Sequence, residues 1–129
     1  MELFHNVFSI ASHHDNLQLS VLAVCPEKPK AVVQMAHGMC EHKERYLSFM
    51  RFLAAHGYAA FLNDHRGHGE SVLDQADLGY FYDGGARALI DDMHLLTEHI
   101  KGEYPSLPIA LFGHSMGSLA VRCYTKRYD

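Results

Sequence analysis

Apolar residues change their spacing several times along the chain, and each change marks a new element. Phe4, Phe8 and Ile10 fall on one side of an extended segment, and Leu17, Leu19, Val21 and Ala23 on one side of the next. The polar run Ser12-His13-His14-Asp15-Asn16 separates them, which predicts an antiparallel β-hairpin. Pro26 and Pro29 interrupt this pattern, and Ala31-Val32-Val33-Gln34-Met35-Ala36 then reads as a short inner strand. From Tyr46 the spacing becomes helical: Tyr46, Phe49, Met50 and Leu53 share a face, and Gly57 stands where such a helix stops. Tyr58 to Leu62 predicts another buried strand, followed by a long polar, glycine-bearing segment from Asn63 through Tyr82. Asp83 is placed to cap a helix that buries Leu89, Met93, Leu96 and Ile100, leaves Asp91, Asp92 and Glu98 elsewhere, and ends near Tyr104-Pro105. Ile109 to Phe112 is the last apolar run, after which Met116, Leu119, Ala120, Cys123 and Tyr124 recur at helical spacing. Strands alternating with helices predict an α/β fold, a mostly parallel sheet with helices on both faces and an N-terminal antiparallel hairpin.

Between the last strand and the last helix stands Gly113-His114-Ser115-Met116-Gly117, a G-x-S-x-G sequence in a strand-turn-helix setting. A serine hydroxyl becomes a useful nucleophile when it is held exposed, beside a general base and next to donors for the oxyanion that forms. A sharp turn exposes it, and crowds the backbone so that the residues two before and two after should lack a side chain; Gly113 and Gly117 meet that need. The Met116 amide, at a helix N-terminus, is a natural oxyanion donor. An ordinary glycine-bounded helix start is the alternative; the setting after a buried strand and before an amphipathic helix favours the nucleophile reading.

Composition narrows the classes. With 129 residues, 48% apolar and 20% charged, the chain is long enough for a globular domain with a core. Its net charge of −4 and lack of a basic cluster argue against a nucleic-acid surface. No apolar run approaches the about eighteen residues of a membrane-spanning helix, and the first residues lack the features of a signal peptide. Cys25, Cys40 and Cys123 are odd in number and widely spaced, which fits reduced thiols and a cytoplasmic location. The 11 histidines include the groupings His13-His14, His37 with His42, and His65 with His68, yet none is joined by a second pair at zinc spacing, so no metal site is expected.

The loop after the third strand reads His37-Gly38-Met39-Cys40-Glu41-His42. Sites in open α/β sheets lie at the carboxyl ends of strands, so this loop and the Ser115 turn should be neighbours. Gly38 frees the backbone to turn an amide toward the site, which makes Met39 N–H the expected second oxyanion donor. The loop Asp64-His65-Arg66-Gly67-His68-Gly69 is a third element at the same edge. Val72 falls where the third glycine of a dinucleotide loop would be. Asp64 and Arg66 are expected to brace that loop through local hydrogen bonds rather than to act in catalysis.

Taken together, His37-Gly38 with Glu41-His42 and Arg45-Tyr46, Asp64-His65-Arg66-Gly67-His68-Gly69-Glu70-Ser71, and Gly113-His114-Ser115-Met116-Gly117 closely resemble the monoacylglycerol lipase and lysophospholipase branch of the α/β-hydrolase fold. The resemblance runs from the first strand to the helix after Ser115. It implies that Ser115 is the nucleophile of a Ser-Asp-His triad, that the Met39 and Met116 amides form the oxyanion hole, and that His37, Gly38, Gly113, His114 and Gly117 support them. It further implies cleavage of small carboxylic or lipid esters without metal or organic cofactor, with transient membrane-surface contact as the lipid is met. Ser118 departs from a glycine common among relatives. The chain order of this fold places acid and base after the serine, and only the 14 residues Met116–Asp129 follow here. Residues 1–129 are therefore expected to be one partial domain, the N-terminal part of a longer hydrolase. Alone it should be nearly inactive, with the strand Ile109 to Phe112 left as an edge open to the rest of the domain or to self-association. The alternatives are a non-catalytic partner-binding fragment and a peptidase or other acyl hydrolase of the same fold.

Overall fold

Strands β1 (Leu3–Ala11) and β2 (Gln18–Pro26) form the hairpin, and the turn between them closes on Asn16, whose φ is 59°. The computed structural model describes residues 2–128. After the hairpin come β3 (Ala31–Ala36), helix α1 (Leu47–Ala55), β4 (Tyr58–Asn63), α2 (Gly85–Glu103), β5 (Ile109–Gly113) and α3 (Met116–Arg127). The sheet order is β1-β2-β4-β3-β5. β2 runs antiparallel to both β1 and β4, whereas β3 pairs in parallel with β4 and with β5. The expected mixed, mostly parallel-wound architecture is present, and β2 is interior, so Leu22 and Val24 are as buried as Val21.

Helices cover both faces. On one, Met50 and Ala54 of α1 pack on Leu22, Val24, Met35, Ala60 and Leu62. On the other, Leu96 and Ile100 of α2 pack on Val21, Ala23, Val32, Ala59 and Phe61, while Leu89 and Met93 meet Ala120 and Tyr124 of α3. Burying a large apolar side chain contributes about 1.5–3 kcal/mol, so this three-layer contact holds the strands in register. Gly57 ends α1 with φ 94°, a conformation that glycine takes without strain.

Several expectations drawn from spacing alone need correction. Asp83 does not cap α2: the helix begins after Gly84, which makes no side-chain cap, and Asp83 instead accepts a 3.5 Å bond from the Tyr80 hydroxyl. Asp92 is buried rather than solvated, because Arg66 arrives from across the molecule to pair with it. Phe49 and Leu119 turn outward, and Cys123 is exposed on α3. Phe49 stacks on Phe52 of the same helix and lies tilted against Phe112 of β5, with ring centroids 6.5 Å and 5.5 Å apart. Phe4 is also exposed, since β1 is an edge strand.

Candidate active site

Register places two loops side by side. Ala36, the last residue of β3, pairs with Gly113, the last of β5, so both chains leave the sheet at the same level. Between Gly113 and α3 the chain turns through Ser115 at φ 58° and ψ −122°, a region that costs a non-glycine residue about 1–3 kcal/mol. Surroundings hold it there. A Cβ at Gly113 would lie 2.3 Å from the Gly117 carbonyl oxygen, and one at Gly117 would lie 2.0 Å from that of Ala36, so neither position admits a side chain. His114 N–H donates to Ala36 O at 3.2 Å, and Ser118 donates to Ser115 O through its amide at 2.9 Å and its hydroxyl at 2.7 Å. Ser115 is exposed, and Met116 N–H, the first amide of α3, meets no acceptor among the described residues.

The loop after β3 presses on this turn. A Cβ built on Gly38 would come within 3.1 Å of Ser115 Cβ and 3.3 Å of His114 O, so glycine is what lets the two backbones approach. His37 is buried and accepts the His65 N–H at Nε2 (3.0 Å), which leaves the ring proton on Nδ1 to donate to Gly38 O (2.7 Å). His65 returns a bond from Nε2 to His37 O (3.0 Å). Burial lowers the pKa of His37 and pushes that of His65 well below the ordinary histidine range. His65 Nδ1 and His68 Nε2 are buried with no hydrogen-bond partner among the described residues. Beyond Gly38, Met39 is 48% exposed, its amide free of any acceptor among the described residues. Cys40 takes φ 60°, and Glu41 N–H closes the turn on Gly38 O at 3.3 Å.

Among the described residues, the third loop makes no hydrogen bond to the Ser115 hydroxyl. Asp64, fully buried, accepts Lys43 N–H (2.7 Å), Lys43 Nζ (2.9 Å) and Glu70 N–H (3.0 Å). Gly69 passes so close that a Cβ there would stand 2.3 Å from Asp64 Cγ. Lys43 is itself fully buried; desolvation opposes its charge, but Glu44, Glu70 and Asp64 outweigh that and raise its pKa. Arg66 is fully buried too, and its partners are distant in sequence, correcting the expectation of local bonds: Asp92 (2.8 Å), Asp15 (2.9 Å), Ser12 (2.9 Å) and Phe81 O (3.1 Å). Lys43 escaped sequence reasoning altogether, because beside the adjacent Glu44 its carboxylate partners Asp64 and Glu70 lie 21 and 27 residues away, and nothing in the spacing marks that.

The structure thus brings Ser115, Gly38, Gly113, Gly117, Met39 and Met116 to one end of the sheet, with His37 buried beneath. His114 turns its ring toward the Tyr46 hydroxyl and Glu41. Among the described residues, no histidine nitrogen or carboxylate oxygen bonds the Ser115 hydroxyl, and no three His, Cys, Asp or Glu side chains are grouped to hold a metal ion. A cleft of about 410 Å³ opens beside this edge, between Cys40, Glu41, His42 and the Gly67–Gly69 and Gln75–Gly79 segments.

A mixed sheet with helices on both faces, and a serine turn packed against a glycine loop, define the α/β-hydrolase class. Residues 27–129 match the family described as serine aminopeptidase, S33, and the chain belongs to that family. It is 35% identical over 103 residues to the monoacylglycerol lipase of Mycolicibacterium smegmatis, covering 78% of this chain and 34% of that one. It is 34% identical over 96 residues to the Homo sapiens monoglyceride lipase, covering 69% and 28%. Its backbone superposes on a thermostable carboxyl esterase from Bacillus coagulans, solved with glycerol, with a TM-score of 0.86 at 33% identity, covering 96% of this chain and 40% of that one. The chain therefore spans about a third of the length of these curated relatives.

Proposed function

We propose that residues 1–129 are the nucleophile-bearing part of a serine ester hydrolase for monoacylglycerol- or lysophospholipid-type esters. The observation that supports this most is the exposed Ser115, held at φ 58° in van der Waals reach of the Gly38 loop. Ser115 Oγ attacks the ester carbonyl carbon as a base takes its proton; the carbonyl oxygen becomes an oxyanion that accepts from Met39 and Met116 N–H. Collapse expels the alcohol and leaves an acyl-serine, which water hydrolyses to free acid. The dipole of α3 adds favourable potential at the Met116 end. Acid and base belong to sequence outside these residues, and catalysis needs no metal or organic cofactor. The 129-residue chain alone is nearly inactive, because an oxyanion hole and binding without a base leave only about 10³–10⁴-fold over water.

No described helix is long and apolar enough to cross a membrane. A cytoplasmic protein that touches lipid surfaces transiently is the reading that three unbridged cysteines and a lipid ester substrate support. A fluorophosphonate probe should label Ser115 in the full-length protein, together with monoacylglycerol hydrolysis. Labelling that persists in Ser115→Ala overturns the nucleophile assignment. The family description favours a second reading within the same chemistry, an aminopeptidase; faster turnover of aminoacyl amides than of glycerol esters would select it. A non-catalytic fragment that binds a partner along β5 is supported instead by a stable assembly without esterase activity.

A further inference from the structure

Four polar groups converge on a single carboxylate between the two loops. Glu41 Oε1 accepts the Gly38 N–H at 2.6 Å and the Tyr46 hydroxyl at 2.7 Å, and Oε2 meets Arg45 Nε at 2.9 Å. His114 Nδ1 stands 3.6 Å from Oε1 and 3.4 Å from the Tyr46 hydroxyl. The Glu41 side chain is only 12% exposed. Desolvation alone would raise its pKa, but the Tyr46 hydroxyl and the Gly38 amide, then His114 and Arg45, reverse the balance and hold it below the ordinary range. Bonds to an ionised acceptor are roughly twice as strong as neutral ones.

These partners share a location. Gly38 precedes Met39, His114 precedes Ser115 and Met116, and Tyr46 abuts α1, which Met50 and Ala54 anchor to the sheet. We propose that Glu41 is a positioning residue that, with Tyr46, ties the Gly38–Met39 loop to the His114–Met116 turn and so sets the spacing of the two oxyanion donors. The inference rests on the reading of Ser115 as nucleophile. The loop needs such a tie. Its base is held by His37, but Met39 and Cys40 at its tip are exposed, and Cys40 occupies a strained φ. Removing the carboxylate leaves the Gly38 N–H without its acceptor and frees the loop that carries Met39 from Tyr46 and His114. Oxyanion donors act because they are fixed before charge develops, and a misplacement of about 1 Å costs about 10²-fold in rate.

The test has a spectroscopic arm and a kinetic arm, both on the full-length protein. In ¹⁵N–¹H spectra, Glu41→Gln should shift the Gly38 amide upfield and move the amides of Met39 and of residues 114–116 together. Shifts confined to residues 38–46 overturn the tie across the two loops. With p-nitrophenyl acetate as substrate, Glu41→Ala should lower kcat by about 10²-fold and Tyr46→Phe by about tenfold, with KM unchanged. Wild-type kcat in either folded variant overturns the proposal, as does a loss that merely tracks the unfolded fraction seen by circular dichroism. Should Glu41→Ala fail to fold, Tyr46→Phe and the Gln variant still decide the matter. Esterase activity that survives in Ser115→Ala removes the underlying reading instead, and leaves the coupled amide shifts to be judged separately.

Discussion

Ser115 and Cys40 both hold left-handed backbone angles without being glycine, yet their situations differ. At Ser115 the proposed nucleophilic hydroxyl accounts for the residue, whereas Cys40 is exposed and its thiol is in no disulfide among the described residues. Cys40→Gly should therefore raise stability by about 0.5–1 kcal/mol, the relieved strain less the larger entropy of an unfolded glycine, measured as a shift in urea midpoint. Gly117→Ala should do the opposite. Its methyl would meet the Ala36 carbonyl at 2.0 Å, backbone against backbone, and the cost should be about 3 kcal/mol in the same measurement. The two glycines around Ser115 were legible from sequence because their reason is steric and local. The role of Glu41 was not, because its Gly38 and Tyr46 contacts become meaningful only once His114 is brought within 3.6 Å from 73 residues away.

At the scale of elements, the segment between β4 and α2 is held less by apolar packing than by two buried cations. Lys43 fastens it to the turn before α1, and Arg66 fastens it to α2 and the hairpin. Breaking a buried pair from one side leaves an uncompensated charge, so Arg66→Met should destabilise by about 3–5 kcal/mol. Arg66→Met with Asp92→Leu should recover much of that loss, and comparison of thermal unfolding in the single and double variants checks it. Hydrophobic patterning revealed the five strands and the three α-helices, through apolar runs or a repeated apolar face, but not the short 3-10 turns Lys43–Tyr46 and Gln75–Asp77, which carry neither. It failed at Asp92, Phe49 and Leu119, where the identity of the neighbouring element, and not the repeat, decides what is buried. A helical period gives the face but not its partner.

For the whole molecule, acid sensitivity follows from the buried histidines. His37 and His65 have folded-state pKa values below their unfolded ones, so on acidification the unfolded chain takes up protons that the folded chain excludes. Their contribution is intact above about pH 6.5 and is lost as pH falls below it towards the folded-state pKa of each ring. Glu41, Asp15 and Asp91, whose pKa values are lowered, act in a separate window below about pH 4. Urea titrations between pH 7 and pH 5 should show the midpoint falling, and His65→Gln should flatten the slope. The β5 edge sets a second property. β5 pairs with β3 alone among the described residues, and Phe112 at its end is exposed beside Phe49. Sedimentation of the 129-residue chain should show concentration-dependent association, and Phe112→Lys should reduce it.

The pairing of Ala36 with Gly113 also makes the site a gauge of strand alignment. A slip of one residue between β3 and β5 would carry Ser115 about 3.3 Å along the sheet and invert every side chain on the shifted strand. Contact between Gly38 and Ser115 survives no such slip, since a displacement of that size is as large as the 3.1 Å that would separate a Cβ on Gly38 from Ser115 Cβ. A pair of spectroscopic labels, one on each loop, would therefore read out the moment during refolding at which the last parallel ladder locks.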